Sequence, residues 1–131
     1  MKDATHIPNG TVIYPTHACF DDALDLIVAN VKVEPSSFLT LRIIHAICNV
    51  GGKPFAHAWV EEKGEAFFYG LCNGKRMLFV VNRKEWRDSL EISDITEYTV
   101  QEAEYWSVKY TSYGPWKPEY RVLCLGRGGI E

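Results

Sequence analysis

Several features are scarce in this chain, and each scarcity removes a class of function. No run approaches the roughly 18 consecutive apolar residues that span a bilayer, so no membrane partner is expected. The opening stretch MKDATHIPNGTVIYPTHACF lacks the apolar core of roughly 7 to 15 residues that a secretory signal carries, which points to a cytoplasmic protein. Like charges never cluster beyond a few residues, and 17 acids against 14 bases leave a net charge of -3. A polyanion such as nucleic acid is therefore not expected as a partner. The four cysteines, Cys19, Cys48, Cys72 and Cys124, contain no CxxC pair, so neither a zinc site nor a disulfide framework is indicated, and no metal or cofactor is expected. Repeats, low-complexity segments and linkers are also missing.

What is present suits a single domain over residues 1 to 131. A chain of 131 residues, 47% of them hydrophobic and 13% aromatic, can bury roughly two-thirds of its unfolded surface without staples. Pro8-Asn9-Gly10 reads as a turn and Thr11-Val12-Ile13-Tyr14 as a short strand. Cys19, Phe20, Ala23, Leu24, Leu26, Ile27 and Ala29 then recur at helical spacing, which predicts a helix over about 17 to 31. Thr16 is its candidate N-cap, and Asp21 and Asp22 stand where the dipole favours acids.

After Pro35-Ser36-Ser37 the run from Phe38 to Cys48 is apolar nearly all round. It reads as a second, central helix stopped by Gly51-Gly52, with a buried strand as the competing reading for part of it. His45 falls in this run as a hydrogen-bonded core residue. Three strands follow: Phe55 to Glu61, Ala66 to Tyr69 and Met77 to Val81, joined by turns at Glu62-Lys63-Gly64-Glu65 and Cys72-Asn73-Gly74-Lys75. Asn82 with Glu85, and Thr99 with Glu102, have the spacing of capping boxes, and so open a short helix to about Leu90 and a longer one through about Tyr113. Trp106, Tyr110 and Tyr113 read as a core-facing stripe, Tyr120 to Leu125 as a last buried strand, and Gly126 to Glu131 as a frayed tail. The expected class is α+β, with N-terminal helices packed on an antiparallel sheet and an additional C-terminal helix and strand.

Two residues stand out chemically. Cys19 opens the first helix, where the dipole and unpaired amides lower a thiol pKa, while Asp21 and Asp22 oppose that effect. His57 sits among apolar residues in Phe55-Ala56-His57-Ala58-Trp59-Val60-Glu61. Alternation puts Phe55, His57, Trp59 and Glu61 on one face of the strand, and Ala56, Ala58 and Val60 on the other. One of those faces is expected to pack on the second helix, leaving the other for a cleft, solvent or a satisfied core position. A zinc site from His17, Cys19, His45 and His57 has no supporting spacing.

A Cys opening an Ala-Leu-rich helix, a second apolar helix ending in glycine, and an AHAWVE strand before an acidic glycine turn together resemble the transglutaminase-like cysteine protease superfamily. The similarity is strongest to the bacterial branch that includes the leader peptidases of lasso-peptide maturation. It covers residues 16 to 70. What the resemblance implies is a papain-like core and a hydrolase or acyl transferase acting on peptide or amide bonds. Cys19 would be its nucleophile, His57 its base, and an acid on the following strand would orient the imidazole.

At that register this sequence has Tyr69 or Gly70, neither an acid. Asn73 is the nearest chemically suitable substitute, followed by Glu61 and Glu65. His17, Trp59 and Tyr69 are the candidates for lining a substrate site. The alternatives are a domain of the same fold without catalysis, binding a peptide, a protein or a small ligand in the old cleft, and an unrelated α+β protein. Either a monomer or a homodimer fits.

Overall fold

A computed structural model of the chain describes residues 4–7, 14–15 and 18–128. The fold is mixed α+β. Its seven-stranded sheet comprises β1 (Thr5–His6), β2 (Tyr14–Pro15), β3 (Arg42–Val50), β4 (Lys53–Glu62), β5 (Glu65–Cys72), β6 (Lys75–Asn82) and β7 (Ile92–Thr99). The order is β1-β6-β5-β4-β3-β7, with β2 paired to β5 off this path. All pairs are antiparallel except β1 with β6. The helices are α1 (Cys19–Val33), α2 (Arg83–Ser89), α3 (Val100–Tyr110) and α4 (Pro118–Gly128), with a 3-10 turn at Pro35–Leu39.

The meander from β3 to β6 is closed by three two-residue turns, Gly51-Gly52, Lys63-Gly64 and Asn73-Gly74, each with φ between 50° and 80° at both positions. Two left-handed residues in succession match the right-handed twist of the flanking strands, which is why glycine or asparagine recurs there. The turns at Lys63-Gly64 and Asn73-Gly74 agree with the sequence reading. Gly51-Gly52 does not stop a helix; it reverses β3 into β4.

Residues 42–50 are thus a strand where a central helix is expected over Phe38 to Cys48. β3 is buried on both faces, with Ile44, Ala46 and Cys48 in one apolar cluster and Ile43 in the other. A strand covered on both sides carries the same unbroken apolar run as a fully buried helix, so composition does not separate them. The β-branched Ile43, Ile44 and Ile47 and the hairpin turn decide for strand. The expected last strand over Tyr120 to Leu125 is likewise replaced, here by α4. It begins on Pro118 and turns Tyr120 and Leu123, three apart, onto the sheet. β7 pairs with β3 along nearly its whole length, and no strand is expected there from the sequence.

Asn82 caps α2 by accepting from the Glu85 amide at 3.1 Å, and Thr99 with Glu102 forms a complete capping box on α3. α3 ends at Tyr110, short of the expected Tyr113, because Thr111 turns left-handed at φ 48°. Of the expected core stripe, Trp106 packs on the core while Tyr110 and Tyr113 are exposed. The cap at Thr16, the turn at Pro8-Asn9-Gly10 and the strand residues Thr11-Val12-Ile13 lie outside the described residues. So does 129–131 of the expected frayed tail, whereas Gly126 to Gly128 complete α4.

Both faces of the AHAWVE strand are packed, each by a different partner. Ala56, Ala58 and Val60 meet Phe20, Ala23, Leu24 and Ile27 of α1 together with Trp116 and Tyr120. Trp59 on the opposite face joins Ile44, Ala46, Ala66 and Leu90, with Phe55, Phe68 and Trp86 packed around them. Two alanines in register give α1 room to approach the sheet closely, so the small face takes the helix and the large face takes α2.

Candidate active site at the opening between two strands

β4 and β5 face each other only at Val60–Phe67, Glu61–Ala66 and Glu62–Glu65. Beyond that point they part. Lys53 to Trp59 have no β5 residue opposite them, while Gly70 and Leu71 of β5 take Pro15 and Tyr14 of β2 instead. The short β2 therefore lies in the opening, and Cys19 is only four positions beyond its last residue. At no more than about 3.6 Å per residue, the start of α1 is held within about 14 Å of that opening. A second tie fixes the same end: Arg76, opposite Leu71 in β6, donates from its guanidinium to Asp22 Oδ1 at 2.5 Å. The start of α1 is thus held near the stretch of β4 that has no β5 residue opposite it, on the face of Ala56, Ala58 and Val60, whereas His57 lies on the other face with Phe55, Trp59 and Trp86.

Cys19 is the first residue of α1 and is half-buried against the core on that side of the sheet. Its thiol lies in electrostatic reach of Cys48, which is pushed up to about 12, chiefly by burial and then by Cys19. Cys48 is opposite Phe55 in register, two residues from His57. The acids that oppose a Cys19 thiolate are partly neutralised. Asp22 is buried and held by Arg76, and Asp21 is raised by burial and then by the neighbouring Asp25 and Asp22, which makes its proton harder to lose.

His57 is half-buried among rings, its centroid 5.8 Å from Phe55, 5.7 Å from Trp59 and 6.0 Å from Trp86. Trp86 in turn stacks on Phe68 at 4.3 Å and 14°. An imidazole walled by aromatic faces is restricted in rotation, which suits a positioned proton carrier.

The remaining sequence candidates fall into different settings. Trp59 is 1% exposed and its Nε1 donates to Glu61 Oε2 at 2.8 Å, so its ring supports His57 from within and is shielded from any ligand. Tyr69 is half-buried on the α1 face, with the Arg76 guanidinium 3.8 Å over its ring. The register position where the resemblance calls for an acid is therefore occupied by a cation on a phenol. Asn73 is exposed at the tip of the β5–β6 turn with φ 53° and makes no side-chain hydrogen bond among the described residues. Glu61 is committed to Arg87 and Trp59. Glu65 is half-buried at the base of the Lys63-Gly64 turn, opposite Glu62, where β4 and β5 are still paired. His17 lies outside the described residues.

His45 corrects its expectation twice: it is on β3, and neither ring nitrogen has a hydrogen-bond partner among the described residues. Sequence reasoning also overlooked Arg76 and Arg87, the two cations that hold buried acids. An arginine in an ordinary polar stretch carries no sign of which distant carboxylate it will meet.

Among the described residues no group of three or more His, Cys, Asp or Glu is placed to hold a metal ion, and no helix is long and apolar enough to cross a membrane. No family model matches the sequence, and searches of curated proteins and of solved structures gave no match.

Proposed function

We propose that the chain is a cysteine-dependent hydrolase or acyl transferase of transglutaminase-like type, acting on peptide or amide bonds. The observation that carries this reading is that β2 and the Arg76–Asp22 pair hold the Cys19 end of α1 near the stretch of β4, bearing His57, that has no β5 residue opposite it. In this reading His57 takes the Cys19 proton, the thiolate attacks the carbonyl carbon, and the backbone amide of Cys19 stabilises the oxyanion. The imidazolium then protonates the departing amine. Water, or a second amine, releases the acyl group from the thioester and returns the thiol.

Alkylation by iodoacetamide across a pH series, read at each cysteine by peptide mass spectrometry, tests the assignment. Cys19 is expected to react selectively with an apparent pKa below about 7, shifted toward about 8.5 in His57→Ala. Cys48, fully buried, stays silent until the protein is denatured. A Cys19 that is also inert until denaturation overturns the proposal.

A second reading is favoured by one observation. Tyr69 under Arg76 stands where an orienting acid is needed, and Asn73 is turned out to solvent. The same opening would then serve a binding module for a peptide or protein, with Cys19 reacting no faster than an ordinary thiol.

A further inference from the structure

His45 lies in the middle of β3, between Ala58 of β4 and Thr96 of β7 in register. It is 0% exposed, and both ring nitrogens are buried without a hydrogen-bond partner among the described residues. Three rings enclose it: Phe20 at 4.7 Å, Trp116 at 4.9 Å and Tyr98 at 5.0 Å between centroids. Its roof is Gly114, where a Cβ would stand 2.8 Å from His45 Cε1 and 3.3 Å from Nε2. That roof belongs to the strap that joins α3 to α4. Within the strap Trp116 Nε1 donates to the Ser112 carbonyl at 2.9 Å, and just beyond it, in the first turn of α4, Tyr120 ties this end to β7 by donating from its hydroxyl to Asp94 at 2.8 Å.

An imidazole in this setting is tolerated only while neutral. Each unmade hydrogen bond already costs about 1–3 kcal/mol, and a charge there would cost far more. No group around it relieves that cost. β4 contributes only Ala56, Ala58 and Val60. β7 contributes Tyr98, kept neutral by burial up to about 12, and Asp94, already bonded to Tyr120. Of the covering elements, α1 carries Asp21, α3 Glu102, the strap Tyr113 and Lys117, and α4 Glu119 and Tyr120; burial is the cause that holds His45 down to about 3. Water reaches the ring only if the roof lifts.

We propose that His45 is an acid-sensitive lock on the strap and the first turns of α4, residues 111–123: protonating its imidazole requires this segment to leave the sheet, so mild acid populates an opened form while the meander stays folded. The inference stands apart from the catalytic reading, since it assigns no role to Cys19 or His57. In the opened form the ring titrates near its ordinary 6.5, so the open fraction rises about tenfold for each pH unit below that value.

Hydrogen exchange followed by mass spectrometry at pH 7, 6 and 5, corrected for intrinsic exchange rates, tests it. Peptides over 112–123 are expected to lose protection about tenfold per pH unit below 6.5, while β5 and β6 peptides hold theirs. His45→Leu, or His45→Gln should the first fail to fold, is expected to make strap protection independent of pH. Gly114→Ala is expected to open the strap already at pH 7. Strap protection that is flat from pH 7 to 5, an equal loss in the neutral His45 variant, or a loss shared by β5 and β6 overturns the proposal.

Discussion

Removing the Glu61 carboxylate is expected to be among the most damaging single changes available in this protein. Glu61 is 3% exposed, yet its Oε1 accepts from Arg87 Nη2 at 2.5 Å, and its Oε2 from Arg87 Nε and Trp59 Nε1, both at 2.8 Å. Glu61→Ala strands the indole N–H and a guanidinium. Breaking a buried pair from one side costs about 3–5 kcal/mol. Arg87 retains 29% exposure and a 3.3 Å contact with the exposed Glu97, so it can rehydrate in part, and the lower figure applies. With a urea slope of about 1–3 kcal/mol/M for a domain of this size, a loss of about 3 kcal/mol moves the midpoint down by about 1–3 M. Arg87→Leu should cost a similar amount, because it leaves the carboxylate buried and alone. The double variant Glu61→Leu/Arg87→Leu should be at least about 2 kcal/mol more stable than the sum of the singles predicts, since no orphaned charge remains. Urea unfolding of the four proteins, followed by circular dichroism, reads the cycle directly. A cost below about 1 kcal/mol for Glu61→Ala, or additive singles, would refute the claim that this network clamps α2 onto β4.

Arg76→Ala should cost less than about 1 kcal/mol in stability, because Arg76 is half-exposed, yet it should raise the apparent pKa of Cys19 in the alkylation assay by removing the positive charge that offsets Asp22. An unchanged thiol profile would dissociate this ion pair from the site. At the alkaline end, burial raises both Tyr98 and Tyr120 from about 10 to about 12. A folded state that keeps its proton longer than the unfolded chain has this stability in full below pH 10 and loses it as pH rises toward 12. Each tyrosine can contribute up to about 1.4 kcal/mol per pH unit in that window. Tyr98→Phe should shallow the alkaline fall in urea-midpoint measurements, and an identical slope in the variant would count against it.

The extent to which the fold was legible follows from the range of the forces involved. Local chemistry was readable: Asn73-Gly74 as a tight turn, Asn82 and Thr99 as caps, and α1 from its apolar recurrence, because each depends on residues within a turn or two of one another. The segment 42–50 was not, since a strand sandwiched between two layers shows the same apolar run as a buried helix, and only its pairing with β4 and β7 distinguishes them. α4 was missed for the related reason that Tyr120 to Leu125 is too short to show a period.

The candidate site divides along the same line. The sequence by itself determined that a thiol begins a helix and that an imidazole alternates with alanines on a strand, because spacing along the backbone dictates both. Tertiary structure decided that β4 parts from β5 at Trp59 and that β2 enters the gap. It also decided that Arg76 reaches Asp22, and that Trp59 and Glu61 are spent on holding α2. Those outcomes depend on which strands hydrogen-bond and which faces find cover, and both are settled by packing between residues far apart in the chain.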